Sequence, residues 1–291
     1  MNKALISAYL TILMWASLAT LMLSVSHLPS LLLVGLVLLV ASLPGLGYWR
    51  QWRFPIKVWV SAVVGMFGYH YLLFDAFTRA PAMSVNMIQY LWPLFIVLGA
   101  PLFGSARLNF GHIVGAALGF AGVLLTMTQG ELAFGFSEQA ALGYAQAFVA
   151  ALLWAFYTLS NRRYQQMPLS AVAGFCLVSG ALALVAYFVS ATESVVQWQY
   201  ADMGSILLLG LGPMGLSFYT WDYAIRHGDP RQIGALTYLT PLLSVAMLAL
   251  VYSDVELKLV HLLSLILVIG GASLGQVVER RRLKPKILAN S

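Results

Sequence analysis

Long apolar stretches separated by short polar connections run along the whole chain. Ten of them approach the length of about 20 residues that a helix needs to cross a bilayer. They cover roughly 4–25, 30–48, 58–78, 82–103, 109–128, 140–161, 170–190, 203–225, 231–252 and 258–278. The pattern predicts an all-α membrane protein with ten transmembrane helices and no soluble domain.

The fourth stretch, VNMIQYLWPLFIVLGAP at 85–101, carries polar side chains inside an apolar run. On a continuous helix Asn86, Gln89, Tyr90 and Pro93 share one stripe, and Trp92 lies well off it. Amide and phenol groups are costly in hydrocarbon, and proline bends a helix. The stripe therefore predicts the lining of an interior cavity; the alternative is helix packing through interhelical hydrogen bonds.

The two halves of the chain resemble each other. Trp154 follows Trp15 by 139 residues, and the motif Tyr-Leu-x-Pro at 90–93 recurs 148 residues later at 238–241. Each half, 1–135 and 136–291, holds five predicted spans, an odd number, so the second would insert upside down relative to the first. Inverted repeats of this kind are typical of secondary transporters, whose substrate site lies between the repeats.

Composition agrees with the membrane class. Hydrophobic residues make up 60% of the chain and charged residues 9%, whereas a soluble domain has about 25% charged residues. Cys176 is the one cysteine, so an internal disulfide and a thiolate metal site are both excluded.

Most lysines and arginines lie on one side of the membrane in the predicted arrangement of spans. If the N-terminus is cytoplasmic, all of the 16 lysines and arginines except Arg79 and Lys258 fall on the cytoplasmic side. Cytoplasmic loops of membrane proteins carry such an excess. The sorting supports ten spans with both termini in the cytoplasm, and we interpret the positive charge as a membrane signature rather than a nucleic-acid-binding one.

Few ionisable groups lie within the spans. His70 is either a proton-linked group or a buried histidine with satisfied hydrogen bonds. Two acid-first pairs with a spacing of four residues, Asp75 with Arg79 and Asp222 with Arg226, are expected to form ion pairs. No catalytic motif, cofactor-binding motif or metal-ligand spacing is present, so we predict that the protein is not an enzyme and needs no cofactor.

Three stretches, VNMIQYLWP at 85–93, LLWAFYTLSNRRY at 152–164 and WDYAIRHGDP at 221–230, together with the repeat, carry a family resemblance. The chain resembles EamA-type members of the drug/metabolite transporter superfamily and is most similar to its bacterial aromatic amino-acid exporters. The resemblance implies a multi-pass inner-membrane exporter with a central cavity. The expected substrate-binding residues are Trp15, His70, Asn86, Gln89, Tyr90, Trp154, Tyr157, Trp221, Thr237 and Tyr238, and the expected helix-bending residues are Pro93 and Pro241.

The resulting functional hypothesis is export of aromatic and other neutral amino acids by alternating access, as facilitated diffusion. The expected partners are this small-molecule cargo and the lipid bilayer, with no nucleic acid, and the sequence is compatible with a monomer. An alternative is export of another metabolite or of a cationic drug, with proton coupling. A membrane-embedded enzyme is disfavoured because the cytoplasmic connections hold basic residues without an acidic or histidine cluster.

Overall fold

The computed structural model describes residues 2–25, 27–80, 82–104, 108–128, 137–190, 196–251, 259–271 and residue 274. Every regular element within these ranges is helical. Several basic positions that entered the charge sorting, among them Arg107, Lys258 and those after residue 274, lie outside the described residues.

The helices follow the hydropathy pattern. In the first half they are α1 (Lys3–Leu23), α2 (Ser30–Ser42), α3 (Ile56–Val63), α4 (Tyr69–Arg79), α5 (Ala82–Gln89), α6 (Trp92–Gly99) and α7 (Phe110–Thr128). In the second half they are α8 (Glu138–Asn161), α9 (Ala171–Ser190), α10 (Asp202–Leu211), α11 (Ser217–His227), α12 (Pro230–Leu236), α13 (Leu239–Val251) and α14 (Leu259–Gly271). Side-chain caps begin three of them, from Asn2 to α1, Ser137 to α8 and Asp229 to α12.

Within the part of the chain that the structure describes, seven helical segments are long and apolar enough to cross a membrane. They are Lys3–Met22, Ser30–Gln51, Ile56–Arg79, Glu138–Asn161, Ala171–Ser190, Asp202–His227 and Pro230–Val251. Three shorter apolar helices, Trp92–Phe103, Phe110–Leu125 and Leu259–Gly271, lie where the remaining spans were predicted. The prediction of an all-helical membrane protein is confirmed.

Four of the spans are interrupted, and the interruptions come in two similar pairs. A π-helical turn separates α3 from α4 at Val64–Gly68, and another separates α10 from α11 at Gly212–Leu216. The helix also breaks between α5 and α6, just before Pro93, and between α12 and α13, just before Pro241. Proline lacks an N–H donor and its ring clashes with the preceding turn, which explains a break on its N-terminal side.

The helices of the first half pack mainly against helices of the second half. The principal contacts are α2 with α9, α4 with α8, α1 with α11, α1 with α13, α6 with α8, and α6 with α12. The buried core runs across these contacts, so the centre of the protein lies between the two halves rather than within either one.

Glycines bring α7 and α14 into backbone contact. A Cβ atom placed on Gly115 would lie 2.3 Å from the carbonyl oxygen of Gly271, which only a residue without a side chain permits. Gly111, Gly115 and Gly119 follow one another at a spacing of four residues in α7, and such a spacing lets helix backbones approach closely. Gly275, which follows Gly271 at the same spacing, lies outside the described residues.

Candidate substrate site

Four tryptophans from four helices meet at the centre of the protein. The ring centroid of Trp15 on α1 lies 5.8 Å from that of Trp92, 6.1 Å from that of Trp154 and 5.1 Å from that of Trp221. The rings of Trp92 and Trp221 are 5.7 Å apart and nearly perpendicular. We call these four residues the tryptophan cluster. Such tilted and edge-to-face contacts are the favoured geometry of aromatic pairs.

Further aromatic rings extend the cluster on the side of Trp154. Its ring lies 5.1 Å from Tyr69, 5.5 Å from Tyr157 and 5.7 Å from Phe218. His70 lies next to Tyr69 and Phe218, with ring centroids at 4.9 Å and 6.3 Å. The centre of the protein is therefore walled by flat aromatic surfaces from both halves of the chain.

Two of the four indole N–H groups of the tryptophan cluster have partners. Trp15 donates its Nε1–H to Ser217 Oγ at 3.1 Å, and Ser217 in turn donates to the carbonyl oxygen of Pro213 at 2.6 Å. Trp221 donates its Nε1–H to Thr158 Oγ1 at 3.2 Å. These bonds fix the orientation of the Trp15 and Trp221 rings, so a ligand that reached these two rings would meet their faces rather than their N–H groups.

Two polar side chains of the predicted site border the same centre. Gln89 donates from Nε2 to the Tyr69 hydroxyl at 2.6 Å. His70 donates from Nδ1 to the carbonyl oxygen of Met66, at 2.6 Å, within the first π-helical turn. This bond requires a proton on Nδ1, so Nε2 is the nitrogen that carries the acceptor lone pair whenever the ring is neutral.

Two other predicted site residues, Tyr90 and Tyr238, belong to a different apolar cluster from the four tryptophans. Tyr238 is fully buried in a separate apolar cluster with Val123, Leu242 and Val268, and Tyr90 packs at its edge. Thr237 is also buried and donates its hydroxyl to the carbonyl oxygen of Gly234 at 2.6 Å. Asn86 is half-buried on α5, and Pro93 and Pro241 are buried one turn or less beyond the helix breaks.

Sequence reasoning missed three rings of the centre, those of Tyr69, Trp92 and Phe218. Trp92 was placed off the polar stripe because the stripe assumed one continuous helix through residues 86–93. The break between α5 and α6 changes the helical phase, so Trp92 turns towards Trp15 and Trp221. The Tyr-Leu-x-Pro motif was the available signal, since it marks the break.

The two predicted ion pairs exist and differ in environment. Arg226 donates to Asp222, and both side chains are only 2% exposed. Asn161 also donates to Asp222, at 3.3 Å, and Arg226 bonds the carbonyl oxygens of Tyr164 and Met167. We call this group of hydrogen-bonded residues the Asp222 layer.

The second pair is half-exposed. Arg79 donates from Nε to Asp75 at 2.7 Å, and Gln146 donates to the same carboxylate at 2.5 Å. Its side chains are about a third exposed. Water therefore screens this pair, while the Asp222 layer depends on its protein partners alone.

A third carboxylate, that of Asp229, lies outside the spans and is hydrogen-bonded to Arg231. Arg231 donates from Nε and Nη2 to Asp229, which caps α12. Burial by itself raises the pKa of Asp229, but the hydrogen bonds from Arg231 outweigh it and hold that pKa below its ordinary value. Asp229 is thus a charged cap in the connection between α11 and α12.

The chain is similar to proteins of one transporter family over nearly its whole length. The model of the EamA-like transporter family matches residues 2–128 and 141–274. An aromatic amino acid exporter, YddG, of Ancylobacter novellus is 32% identical over 96% of this chain and 99% of its own. The Escherichia coli protein of the same name is 27% identical over 71% of both chains.

A relative with a different name and a solved structure extend the comparison. A probable amino-acid metabolite efflux pump of Salmonella typhimurium is 23% identical over 85% of this chain and 86% of its own. A crystal structure that shares 30% of its residues with this chain superposes with a TM-score of 0.87, over 96% of this chain and 99% of that one. The prediction of a membrane transporter rather than an enzyme is confirmed, and the chain belongs to the EamA-like transporter family.

Proposed function

We propose that this protein exports aromatic and other neutral amino acids across the bacterial inner membrane. The observation that carries the proposal is the tryptophan cluster, which brings aromatic faces from both halves of the chain to one central point. Such faces suit a large apolar or aromatic side chain. Relatives that match nearly the whole chain are named aromatic amino acid exporters, in agreement with this chemistry.

The architecture we propose is ten spans in two inverted repeats of five. The dominant helix contacts support this architecture. If α1 is equivalent to α8, α4 to α11 and α6 to α13, then the contact of α4 with α8 in one repeat corresponds to that of α11 with α1 in the other. The contact of α6 with α8 corresponds in the same way to that of α13 with α1. The two π-helical turns and the two proline-linked breaks recur in equivalent places. The family model also matches the chain twice, once in each half.

Alternating access would then consist of rocking one half against the other around the tryptophan cluster. The rings hold the apolar side chain, and Gln89 and His70 offer polar atoms to the zwitterion. Of the carboxylates in the described spans, those of Asp75 and Asp222 are each paired with an arginine, and that of Asp202, the first residue of its span, is paired with His27. That arrangement favours facilitated diffusion over proton coupling. The positive-charge bias supports cytoplasmic termini.

Counterflow of labelled phenylalanine in liposomes tests the function. We expect saturable uptake by the wild-type protein and a loss of at least about tenfold for Trp154→Ala, because truncation removes a ring that contacts Trp15, Tyr69 and Phe218. Trp49→Ala is the matched control, since Trp49 is 62% exposed and far from the cluster in the chain; it should transport normally.

Folded wild-type protein that carries neither phenylalanine, methionine nor threonine would contradict the proposal. An aromatic wall also suits a quaternary ammonium ion. Resistance to an aromatic quaternary ammonium compound, in cells without their own exporters and without resistance to amino-acid analogues, would favour a cationic drug as cargo.

A further inference from the structure

A cavity of about 650 Å³ opens between the connections that follow α2, α6 and α8. All three connections belong to the side of the protein that carries most of the positive charge. The volume is within the range of about 300–1,000 Å³ typical of small-molecule sites. No residue of the tryptophan cluster lines this cavity, so it is distinct from the central site.

The walls of the cavity have two chemical characters. One wall is apolar and consists of Phe54, Pro55, Val58 and Phe103. The other is polar and includes the exposed side chains of Arg163, Gln165 and Gln166. A ligand that fits both walls has an apolar body and an anionic or hydrogen-bonding head.

Arg163 lines this cavity and is held in place by two contacts. Its Cζ atom lies 4.7 Å from the centroid of the Phe103 ring, and its Nη2 donates to the carbonyl oxygen of Leu102 at 3.0 Å. That bond uses one of five N–H donors, so the guanidinium retains the fork that binds a carboxylate. The adjacent Arg162 also lines the cavity, but it interacts with the negative charge of Asp229. Arg163 is therefore the better anion site.

Hydrogen bonds link the lining of the cavity to the Asp222 layer. Tyr164 and Met167 line the cavity, and their carbonyl oxygens accept hydrogen bonds from Arg226. Arg226 pairs with Asp222, the residue next to Trp221 of the tryptophan cluster. The Asp222 layer therefore connects the lining of the cavity to the helix that carries Trp221.

We propose that this cavity is a loading site, in which Arg163 binds the carboxylate of an amino-acid cargo before it reaches the tryptophan cluster. The cargo side chain lies against Phe54, Val58 and Phe103. This inference rests on the proposed function and assigns its first binding step on the basic side. Arg163 here is a binding residue for the carboxylate, separate from the aromatic selection at the centre.

A fluorophore in the cavity tests the assignment. Gln165→Cys labelled with bimane places the probe on an exposed lining residue, and the natural Cys176 is fully buried and does not compete for the label. An indole quenches bimane on contact, so the ligands are L-tryptophan and tryptamine, which lacks the carboxylate. The protein is studied at full length in lipid nanodiscs, from a preparation whose phenylalanine counterflow has been measured.

We expect saturable quenching by L-tryptophan. Arg163→Gln should weaken it about tenfold or more, because a charge-assisted hydrogen bond is lost, and should leave the weaker effect of tryptamine unchanged. Arg50→Gln is the matched control: it removes one arginine charge on the same side, and Arg50 does not line the cavity. Bimane on Lys57→Cys, also exposed and outside the lining, should show no saturable quenching.

Several outcomes would overturn the inference. Equal quenching by the two ligands, or no effect of Arg163→Gln, would show that Arg163 does not bind the carboxylate of the ligand. Quenching by nitroxide-labelled phosphatidylglycerol in place of L-tryptophan assigns the cavity to a lipid head group. Protein that performs counterflow but shows no quenching defeats the loading site and leaves the proposed function standing; protein without counterflow defeats the proposed function.

Discussion

The same Asp-x-x-x-Arg spacing produces two different environments in this protein. Asp222 and Arg226 are buried and hydrogen-bonded to other protein groups, whereas Asp75 and Arg79 are about a third exposed. A buried charge that loses its partner has no water to replace it, while an exposed one is resolvated. The spacing predicts both ion pairs, but their surroundings set their importance for stability.

We expect Arg226→Met to destabilise the protein by about 3–5 kcal/mol, since it leaves the Asp222 carboxylate buried and unpaired. Arg79→Met should have a much smaller effect, because Asp75 keeps access to water and its bond from Gln146. Unfolding midpoints of the two variants in one detergent provide the measurement. Adding Asp222→Asn to Arg226→Met should restore part of the loss; equal midpoints for the two single variants would contradict the argument.

At the level of single residues, the sequence predicted Trp15, Trp154 and Trp221 as candidates, and the structure brings their rings together. Their role as substrate-binding residues stays a prediction. Tyr238 illustrates what a residue pattern leaves open. On a continuous helix it would share one stripe with Thr237 and Pro241, yet the side chain packs among Val123, Leu242 and Val268. Which neighbours surround a stripe depends on helices far away in the chain.

Among the helices, the contact of α7 with α14 depends on the absence of side chains. Gly115 and Gly271 place backbone against backbone, and Gly119 accommodates the ring of Tyr238. Without a hydrophobic driving force between helices in lipid, close van der Waals contact of this kind contributes much of the association. The glycine spacing in α7 therefore has a direct structural consequence.

Gly115→Ala should destabilise the protein by about 1–3 kcal/mol, because its Cβ would meet the backbone of Gly271 and the helices would have to separate. Gly270→Ala is the matched control, since no atom lies within 4 Å of a Cβ at that position. Unfolding midpoints in detergent again report the difference. A Gly270 variant as unstable as the Gly115 variant would show that helix propensity or lipid contact, not the close approach, dominates.

Two kinds of interruption occur in the spans: breaks just before prolines, and π-helical turns. Prolines at 93 and 241 predicted bends, and the structure interrupts both helices just before them. The π-helical turns at Val64–Gly68 and Gly212–Leu216 were not predicted, because the apolar pattern continues through them. An extra residue in a helical turn leaves hydropathy unchanged but rotates everything that follows.

For the whole molecule, the proposed orientation is open to direct measurement. Lys57 and Tyr200 are both exposed and lie on opposite sides of the proposed ten-span arrangement. The orientation depends on the order of spans and on the lysine and arginine bias. Because Cys176 is buried, we expect no thiol labelling of the natural chain.

We expect a membrane-impermeant maleimide to label Tyr200→Cys in intact cells. Lys57→Cys should be labelled only after the membrane is opened, because its side faces the cytoplasm. The unmodified chain should remain unlabelled in both conditions. Labelling of both variants in intact cells would contradict the span order, and a reversed pattern would contradict the orientation.

The linear order of residues is enough to establish the membrane class, the approximate spans, the likeness of the two halves and the family, because hydropathy, charge bias and motifs are local properties. The central site is not local. Trp15, Trp92, Trp154 and Trp221 come from four helices, and Trp92 joins the other three because a helix break changes its direction. The cavity beside Arg163 likewise forms where three distant connections meet. Such sites arise from packing between the halves, since the side chains that wall them share no stretch of sequence.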